Sequence, residues 1–196
     1  MKKYLVIGNP IEHSLSPLIH NHWIKKHHLM DSVYEKRKVE KKDLKNIIEE
    51  IKKGQIVGVN VTVPFKKLII PFLDELDSVA KETQSVNTLF KIDSKIVGYN
   101  TDSAGFLESI KGLYTHSRDS IVPRPLEGKN IFILGAGGVT PSIVSALKNE
   151  GANIILSNRT KEKAIELRKL FPKLEVLDWG KRPPICSIVI NTTSVG

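Results

Sequence analysis

The sequence predicts an α/β protein made of two α/β domains, and two patterns carry that prediction. In residues 1–102, segments with the period-two spacing of strands alternate with segments of helical spacing, which is typical of a sheet with helical crossovers. In residues 103–196, a buried-type strand runs directly into the glycine-rich turn G-A-G-G at 135–138 and then into a helix. That order indicates a Rossmann-type nucleotide-binding domain.

The first domain begins with a short apolar strand over 4–8, followed by the segment S-L-S-P at 14–17. Ser16 before a proline predicts a helix start, with the serine hydroxyl capping free backbone N–H groups, and the helix continues to about residue 26. Ser14 and Ser16 then lie in a turn at the carboxyl end of a strand, where open α/β sheets bind ligands. The alternative is that both serines are only turn and cap residues.

The remaining elements of this domain follow in order. We expect a strand over 33–39, an amphipathic helix from 43 to 54, a strand over 57–63, a helix around 74–81 and a hairpin with arms at 88–92 and 96–100. The hairpin makes the sheet mixed. A helix over 103–111 and an irregular connector over 113–128 lead into the second domain, with the domain change at about Asp102.

The strand over 57–63 organises the polar chemistry of the first domain. Asn60 and Thr62 share one of its faces, and Lys66 follows just beyond its carboxyl end, after Pro64. An amide, a hydroxyl and an ammonium at that position can bind a polyhydroxylated substrate and supply a proton. An edge strand followed by solvated lysines is the competing interpretation of the same residues.

The glycine turn of the second domain points to a dinucleotide. Gly135 permits a tight turn, and Gly137 lets the backbone approach a pyrophosphate at the start of the next helix. Thr140 stands where a third glycine or alanine is usual. The helix runs to about residue 150, and further strands are expected over 154–157, 174–177 and 188–191, with a helix ending near residue 171 between the first two.

The residues after the strand over 154–157 predict which nucleotide is bound. An acidic side chain there would bind a ribose 2′-hydroxyl and repel a phosphate. This sequence instead has Asn158-Arg159-Thr160, with Lys163 one helical turn later. Because a guanidinium can donate two hydrogen bonds to a 2′-phosphate, the sequence favours NADP over NAD. The alternative is that Arg159 and Lys163 are only surface charges.

Composition narrows the class of protein. The single cysteine, Cys186, excludes an intramolecular disulfide and favours the cytoplasm, and no apolar run is long enough to span a membrane. The net charge of +9 favours anionic partners, but the basic run over 36–45 contains acidic residues and no aromatic, which argues against nucleic acid. His20 and His27 lie two helical turns apart, so no metal site is predicted.

Together these residues resemble the shikimate dehydrogenases, and the matching segments span almost the whole chain in the order of that family. The segments are 14–17, 60–66, 87–88, 98–102, 135–138, 158–160 and 191–194. The resemblance implies reversible NADPH-dependent reduction of 3-dehydroshikimate to shikimate, in the pathway to aromatic compounds. It implies an N-terminal substrate-binding domain over 1–102 and a C-terminal NADP-binding domain over 103–196.

The resemblance also implies roles for individual residues. The substrate would be held by Ser14, Ser16, Asn60, Thr62, Lys66, Asn87 and Asp102. Lys66 and Asp102 would form the catalytic pair, since a cation at the ketone oxygen stabilises the charge left by an arriving hydride, and Asp102 can orient that cation. NADP would be held by Gly135, Ala136, Gly137, Gly138, Val139, Asn158, Arg159, Thr160, Lys163, Thr192, Thr193 and Ser194.

One departure from the family concerns the end of the sequence. Members of the family continue through the rest of the nucleotide domain and a helical part that returns to the first domain, whereas this sequence stops at Gly196. We therefore expect an incomplete nucleotide-binding domain. A quinate/shikimate dehydrogenase of broader specificity, disfavoured by Arg159, and a non-catalytic NADP-binding fragment are the alternatives, and the sequence leaves a homodimer open.

Overall fold

The computed structural model describes residues 1–114 and 125–193, and the chain forms two compact units, Met1–Asn100 and Thr101–Gly196. Each unit is built around its own β-sheet, as the predicted α/β class requires. The predicted connector over 113–128 lies largely outside the described residues. No helix within the described ranges is long and apolar enough to cross a membrane.

The first unit has a mixed sheet and three α-helices. Its strands are β1 (Lys2–Gly8), β2 (Ser32–Lys38), β3 (Gly58–Val61), β4 (Glu75–Leu76), β5 (Thr88–Ile92) and β6 (Lys95–Tyr99). Its helices are α1 (Ser16–Lys26), α2 (Leu44–Lys52) and α3 (Ser78–Thr83). The strand order is β2-β1-β3-β5-β6-β4, and only β5 runs antiparallel to its neighbours. The carboxyl ends of β1, β3 and β6 and the amino end of β5 therefore lie at the same edge of the sheet.

The two faces of this sheet pack against different helices of the first unit. The predicted apolar stripe of α2 is confirmed, because Leu44, Ile47, Ile48 and Ile51 are all buried. They belong to one core with Leu5, Ile7, Val59 and Val61. Since successive side chains of a strand point to opposite faces, Val6, Tyr34 and Asn60 project from the other face, where Val6 and Tyr34 pack with Ile24 of α1.

Two predicted elements of this unit differ from the structure. The helix expected around 74–81 is wrong at its start, because Glu75–Leu76 form β4 and α3 begins only at Ser78. Asp77 begins α3 there, accepting a hydrogen bond from the backbone N–H of Ala80 at 2.8 Å. The strand expected over 57–63 is shorter, since a turn starts where the N–H of Phe65 donates to the carbonyl of Thr62.

The second unit has a parallel sheet, as expected of a Rossmann-type domain. Its strands are β7 (Asn130–Leu134), β8 (Asn153–Ser157), β9 (Glu175–Leu177) and β10 (Ile188–Asn191), in the order β10-β7-β8-β9. Its helices are α4 (Asp102–Tyr114), α5 (Thr140–Asn149) and α6 (Lys161–Leu170). The turns after β7, β8 and β10 all lie at the carboxyl edge of this sheet, where ligands bind in open α/β folds.

Candidate active site

The carboxyl edge of the first sheet gathers most of the residues predicted to bind substrate. Ser14 and Ser16 follow β1, Asn60 lies in β3, and Thr62 and Lys66 follow β3. Asn87 directly precedes β5, whose amino end shares this edge. The predicted residues of the first unit therefore come from three strand ends that the topology places side by side.

Hydrogen bonds join several of these side chains. The Nδ2 of Asn60 donates to the Oγ1 of Thr88 at 2.9 Å and to the carbonyl of Asn87 at 3.3 Å. The Oγ1 of Thr88 in turn donates to the Oδ1 of Asn87 at 3.2 Å. On its other side, the Oδ1 of Asn60 accepts a hydrogen bond from the hydroxyl of Tyr34 at 2.6 Å. We call this set, Tyr34, Asn60, Asn87 and Thr88, the Asn60 network.

Tyr34 and Thr88 were not singled out from the sequence. Thr88 had a local signal, since it directly follows Asn87 in a segment that matched the family. Tyr34 had none, because its contact with Asn60 joins residues on β2 and β3 across the intervening strand β1. Burial raises the pKa of Tyr34 to about 12, although a hydrogen bond from the Ser16 hydroxyl works in the opposite direction. Tyr34 is therefore a neutral hydrogen-bond donor at neutral pH.

The predicted capping role of the Ser16 hydroxyl is wrong. Leu15 is the N-cap of α1, and no side chain caps the helix. Ser16 is the first helical residue, and its backbone N–H lies 3.4 Å from the Oγ of Ser14. Because Ser16 already lies inside the helix, its hydroxyl does not occupy the N-cap position that faces the free N–H groups of the first turn.

Lys66 is held by a turn whose apolar residues anchor it to the core. Phe65 and Ile69 are buried, and the N–H of Ile69 donates to the carbonyl of Phe65 at 3.0 Å. The carbonyl of Lys66 accepts a hydrogen bond from the N–H of Val86 at 2.9 Å, which ties the turn to the segment leading into Asn87. Lys66 is half-buried whereas the neighbouring Lys67 is exposed, so only Lys66 faces the interior of this edge.

Asp102 is the first residue of α4 and belongs to the second unit. Two residues earlier, Asn100 is anchored to the first unit: its Nδ2 donates to the Oγ1 of Thr83 at 3.0 Å and to the carbonyl of Ser85 at 2.9 Å. Asp102 follows the last residue of β6, Tyr99, by three positions along the chain. A carboxylate in the first turn of a helix is also favoured by the helix dipole.

The glycine turn of the second unit is closely packed at its first residue. Gly135 has a φ of +107°, and a Cβ there would lie 2.7 Å from the Oγ1 of Thr192. The next residue, Ala136, donates its N–H to the Oδ1 of Asn158 at 3.0 Å, and the Nδ2 of Asn158 donates to the carbonyl of Thr160 at 2.7 Å. Asn158 thus links the turn after β7 to the turn after β8.

Thr140 explains how the turn tolerates its missing third glycine. The side chain is fully buried, and its Oγ1 accepts a hydrogen bond from the N–H of Gly137 at 2.9 Å. The same oxygen lies 2.9 Å from the Oγ1 of Thr192, which itself donates to the carbonyls of Leu134 and Gly135. The buried threonine therefore stabilises the glycine turn through hydrogen bonds and connects it to the end of β10.

The remaining residues predicted to hold the nucleotide lie around this edge. Gly137, Gly138, Arg159, Thr160 and Lys163 are exposed, and Val139 is the N-cap of α5. Thr193 donates from its N–H and its hydroxyl to the Oδ1 of Asn191, at 2.9 and 2.8 Å. Ser194 lies outside the described residues. Exposed glycine backbone at a helix start and a guanidinium after the next strand fit an anionic dinucleotide with a 2′-phosphate.

Within the described ranges 1–114 and 125–193, no group of three or more His, Cys, Asp and Glu side chains is placed to bind a metal ion.

Replacing Gly135 by alanine should destabilise the second unit. The new Cβ would meet Thr192 at 2.7 Å in a left-handed backbone conformation, and such strain costs on the order of 1–3 kcal/mol before any clash is relieved. Thermal denaturation would show a lower Tm, and nucleotide affinity should fall with it. Gly137→Ala is the matched control for the Tm alone, since its Cβ would make an ordinary contact 3.4 Å from the Thr192 carbonyl oxygen. A Gly135→Ala variant that melts like the wild type would contradict this account.

A chain with one unit built on a parallel sheet with a glycine turn, and another built on a mixed sheet with a polar, hydrogen-bonded edge, fits the class of a dinucleotide-dependent dehydrogenase. Comparison with known families narrows this class of dehydrogenase to one family. Residues 6–89 match the family model described as the shikimate dehydrogenase substrate binding domain, and residues 118–181 match the model described as shikimate / quinate 5-dehydrogenase. The chain belongs to the shikimate dehydrogenase family, whose curated relatives are NADP-dependent oxidoreductases.

Individual relatives extend the match over the whole chain. The chain is 48% identical over 196 residues to the shikimate dehydrogenase (NADP(+)) of Pelagibacter ubique, covering 100% of this chain and 70% of the relative. The crystal structure of shikimate dehydrogenase from Aquifex aeolicus superposes with a TM-score of 0.87 at 42% identity, covering 100% of this chain and 70% of that one. The Thermus thermophilus enzyme, solved in complex with NADP(H) and shikimate, gives a TM-score of 0.81 at 29% identity, covering 98% and 69%.

Proposed function

We propose that this protein catalyses the reversible NADPH-dependent reduction of 3-dehydroshikimate to shikimate, a step in the biosynthesis of aromatic amino acids. The observation that carries the proposal is the Asn60 network at the carboxyl edge of the first sheet, in a chain 48% identical over its full length to a shikimate dehydrogenase. The network presents amide and hydroxyl groups suited to a polyhydroxylated ring.

We assign substrate binding to the first unit and NADP binding to the second. The substrate-binding residues are Ser14, Ser16, Asn60, Thr62, Lys66, Asn87 and Asp102. The serines lie at the start of α1, whose positive dipole end favours an anionic group such as a carboxylate. Asn60 is pre-oriented by its hydrogen bond to the backbone carbonyl of Asn87, and the Asn87 side chain by a hydrogen bond from the hydroxyl of Thr88, which reduces the entropy lost when a ligand is bound.

Lys66 is the proposed proton donor. When bound, NADPH supplies a hydride to the carbonyl carbon of 3-dehydroshikimate. Negative charge then develops on the carbonyl oxygen, and the Lys66 ammonium stabilises that charge and delivers a proton to the oxygen. The half-buried position of Lys66 strengthens this interaction, because water screens it less than at an exposed site. Asp102 orients the ammonium and contacts a substrate hydroxyl.

The second unit supplies the NADP contacts. The backbone of Gly137, Gly138 and Val139 at the start of α5 is proposed to approach the pyrophosphate. Arg159 and Lys163 are proposed to bind the 2′-phosphate, as exposed cations that follow β8. Asn158, Thr160, Thr192 and Thr193 shape the turns that border this site.

Turnover of shikimate with NADP+ tests the proposal directly. The 196-residue chain is mixed with shikimate and NADP+, and the appearance of NADPH is followed by its absorbance. We expect shikimate-dependent reduction of NADP+, with a kcat/KM for quinate well below that for shikimate. Binding of NADP+ with no turnover of either substrate would support a nucleotide-binding protein instead, and comparable turnover of quinate would support a quinate/shikimate dehydrogenase.

We also propose a cytoplasmic location. Its basis is the single cysteine, Cys186, which fits a reducing compartment.

A further inference from the structure

Tyr34 reaches the proposed substrate site at Asn60, although it lies on the edge strand β2. Its hydroxyl donates to the Oδ1 of Asn60 at 2.6 Å. Through Asn60 the connection continues to Thr88 and Asn87. One phenol hydroxyl on β2 is thus connected to β3 and to the start of β5.

The position of the Tyr34 ring is fixed by α1. The residue is 5% exposed, and the His20 ring stacks on it with a centroid distance of 4.1 Å and an interplanar angle of 6°. Burial lowers the pKa of His20, which favours a neutral stacked ring near neutral pH. Asn21 binds the backbone of Tyr34 twice, donating to its carbonyl at 2.8 Å and accepting from its N–H at 3.0 Å. These bonds also satisfy backbone groups on the outer side of an edge strand.

The hydrogen bonds of Asn60 determine what it can offer a ligand. An asparagine amide has two N–H donors and one oxygen with two lone pairs. Both donors are directed at protein acceptors, the Oγ1 of Thr88 and the carbonyl of Asn87. Tyr34 occupies one lone pair of the Oδ1. The second lone pair is the position from which Asn60 can accept a hydrogen bond from a ligand hydroxyl.

We propose that Tyr34 is a positioning residue for substrate binding: its hydroxyl holds the Asn60 amide in the orientation in which it meets the substrate. Asn60 then accepts a hydrogen bond from a substrate hydroxyl through its Oδ1. This inference rests on the proposed function, and it adds a residue that does not itself touch substrate. Without the phenol oxygen, the Asn60 amide loses one of the hydrogen bonds that hold it and can rotate.

Tyr34→Phe tests the inference, because it removes the hydroxyl and keeps the ring that stacks on His20. We expect the Kd and KM for shikimate to rise about 5- to 20-fold, as for a lost buried hydrogen bond, with kcat within about two-fold and the Kd for NADP+ unchanged. Tyr4→Phe is the matched control: Tyr4 lies beside Tyr34 on β1, but its ring packs against Gly58. That variant should bind shikimate like the wild type.

A second measurement keeps the inference separate from the proposed function. The side-chain amide of Asn60 is followed by NMR in the absence of substrate, and its resonances should shift in Tyr34→Phe and not in Tyr4→Phe. Unchanged Asn60 resonances, or shikimate affinity within about two-fold of the wild type, would overturn the inference. So would an equal loss of NADP+ affinity together with a lower Tm, since that result indicates a general structural role. A wild-type chain that binds no shikimate refutes the proposed function, and the Asn60 resonances still decide whether Tyr34 orients this amide.

Discussion

Replacing Lys66 by alanine should lower kcat for shikimate oxidation by roughly 10²–10⁴-fold, the range for a positioned acid–base group. The alanine variant cannot stabilise charge on the substrate oxygen or exchange a proton with it. The fold should survive, because Phe65 and Ile69 anchor the turn and remain in place. Steady-state kinetics give kcat and KM separately, and thermal denaturation confirms that the variant is folded.

The neighbouring lysine provides the control for Lys66. Lys67→Ala removes the same charge from an exposed position of the same turn, so turnover should change by no more than a few-fold. If Lys66 and Asp102 act as a unit, Asp102→Ala should affect the same step, and the double variant should lose far less than the product of the two single losses. Near-normal turnover in Lys66→Ala, or equal damage from Lys67→Ala, would rule out the assigned pair.

The sequence was sufficient to predict the fold wherever a long periodic segment specifies an element. The apolar residues of α2 recur at helical spacing and are all buried, and β7 followed by the glycine turn specifies the second sheet. The errors fall on short elements. The two-residue strand β4 has no period to detect, and it forms because Asp74 accepts a hydrogen bond from the N–H of Ile96 at 2.7 Å, a contact between distant segments.

The residues of the candidate site also fall into two groups, those that the sequence indicates and those that only the folded structure brings together. Asn60 and Lys66 could be singled out because they lie near the carboxyl end of one predicted strand, whereas Asn87 came only from the resemblance to the family; the topology brings these residues to one edge. The Asn60 network could not be predicted from the sequence, because Tyr34 reaches Asn60 only when β2 and β3 flank β1 in register. The role of Thr140 was hidden for a related reason: its bond to Thr192 depends on β10 lying beside β7. Motifs show which groups end the strands, and strand order decides which groups meet.

Arg159→Ala should remove most of the preference for NADP(H) over NAD(H). Arg159 is exposed in the turn after β8, and a charge-assisted contact with the 2′-phosphate contributes about 1.5–3 kcal/mol, or roughly 10- to 150-fold in affinity. The Kd for NADP+ should rise by that factor, whereas the Kd for NAD+, which lacks the phosphate, should stay within about two-fold. Arg168→Ala is the matched control, because it removes an exposed guanidinium from the last turn of α6. Titration of both nucleotides at one salt concentration measures the effect, since added salt weakens phosphate contacts of exposed cations. Equal affinity of the wild type for the two nucleotides would show that Arg159 is only surface charge.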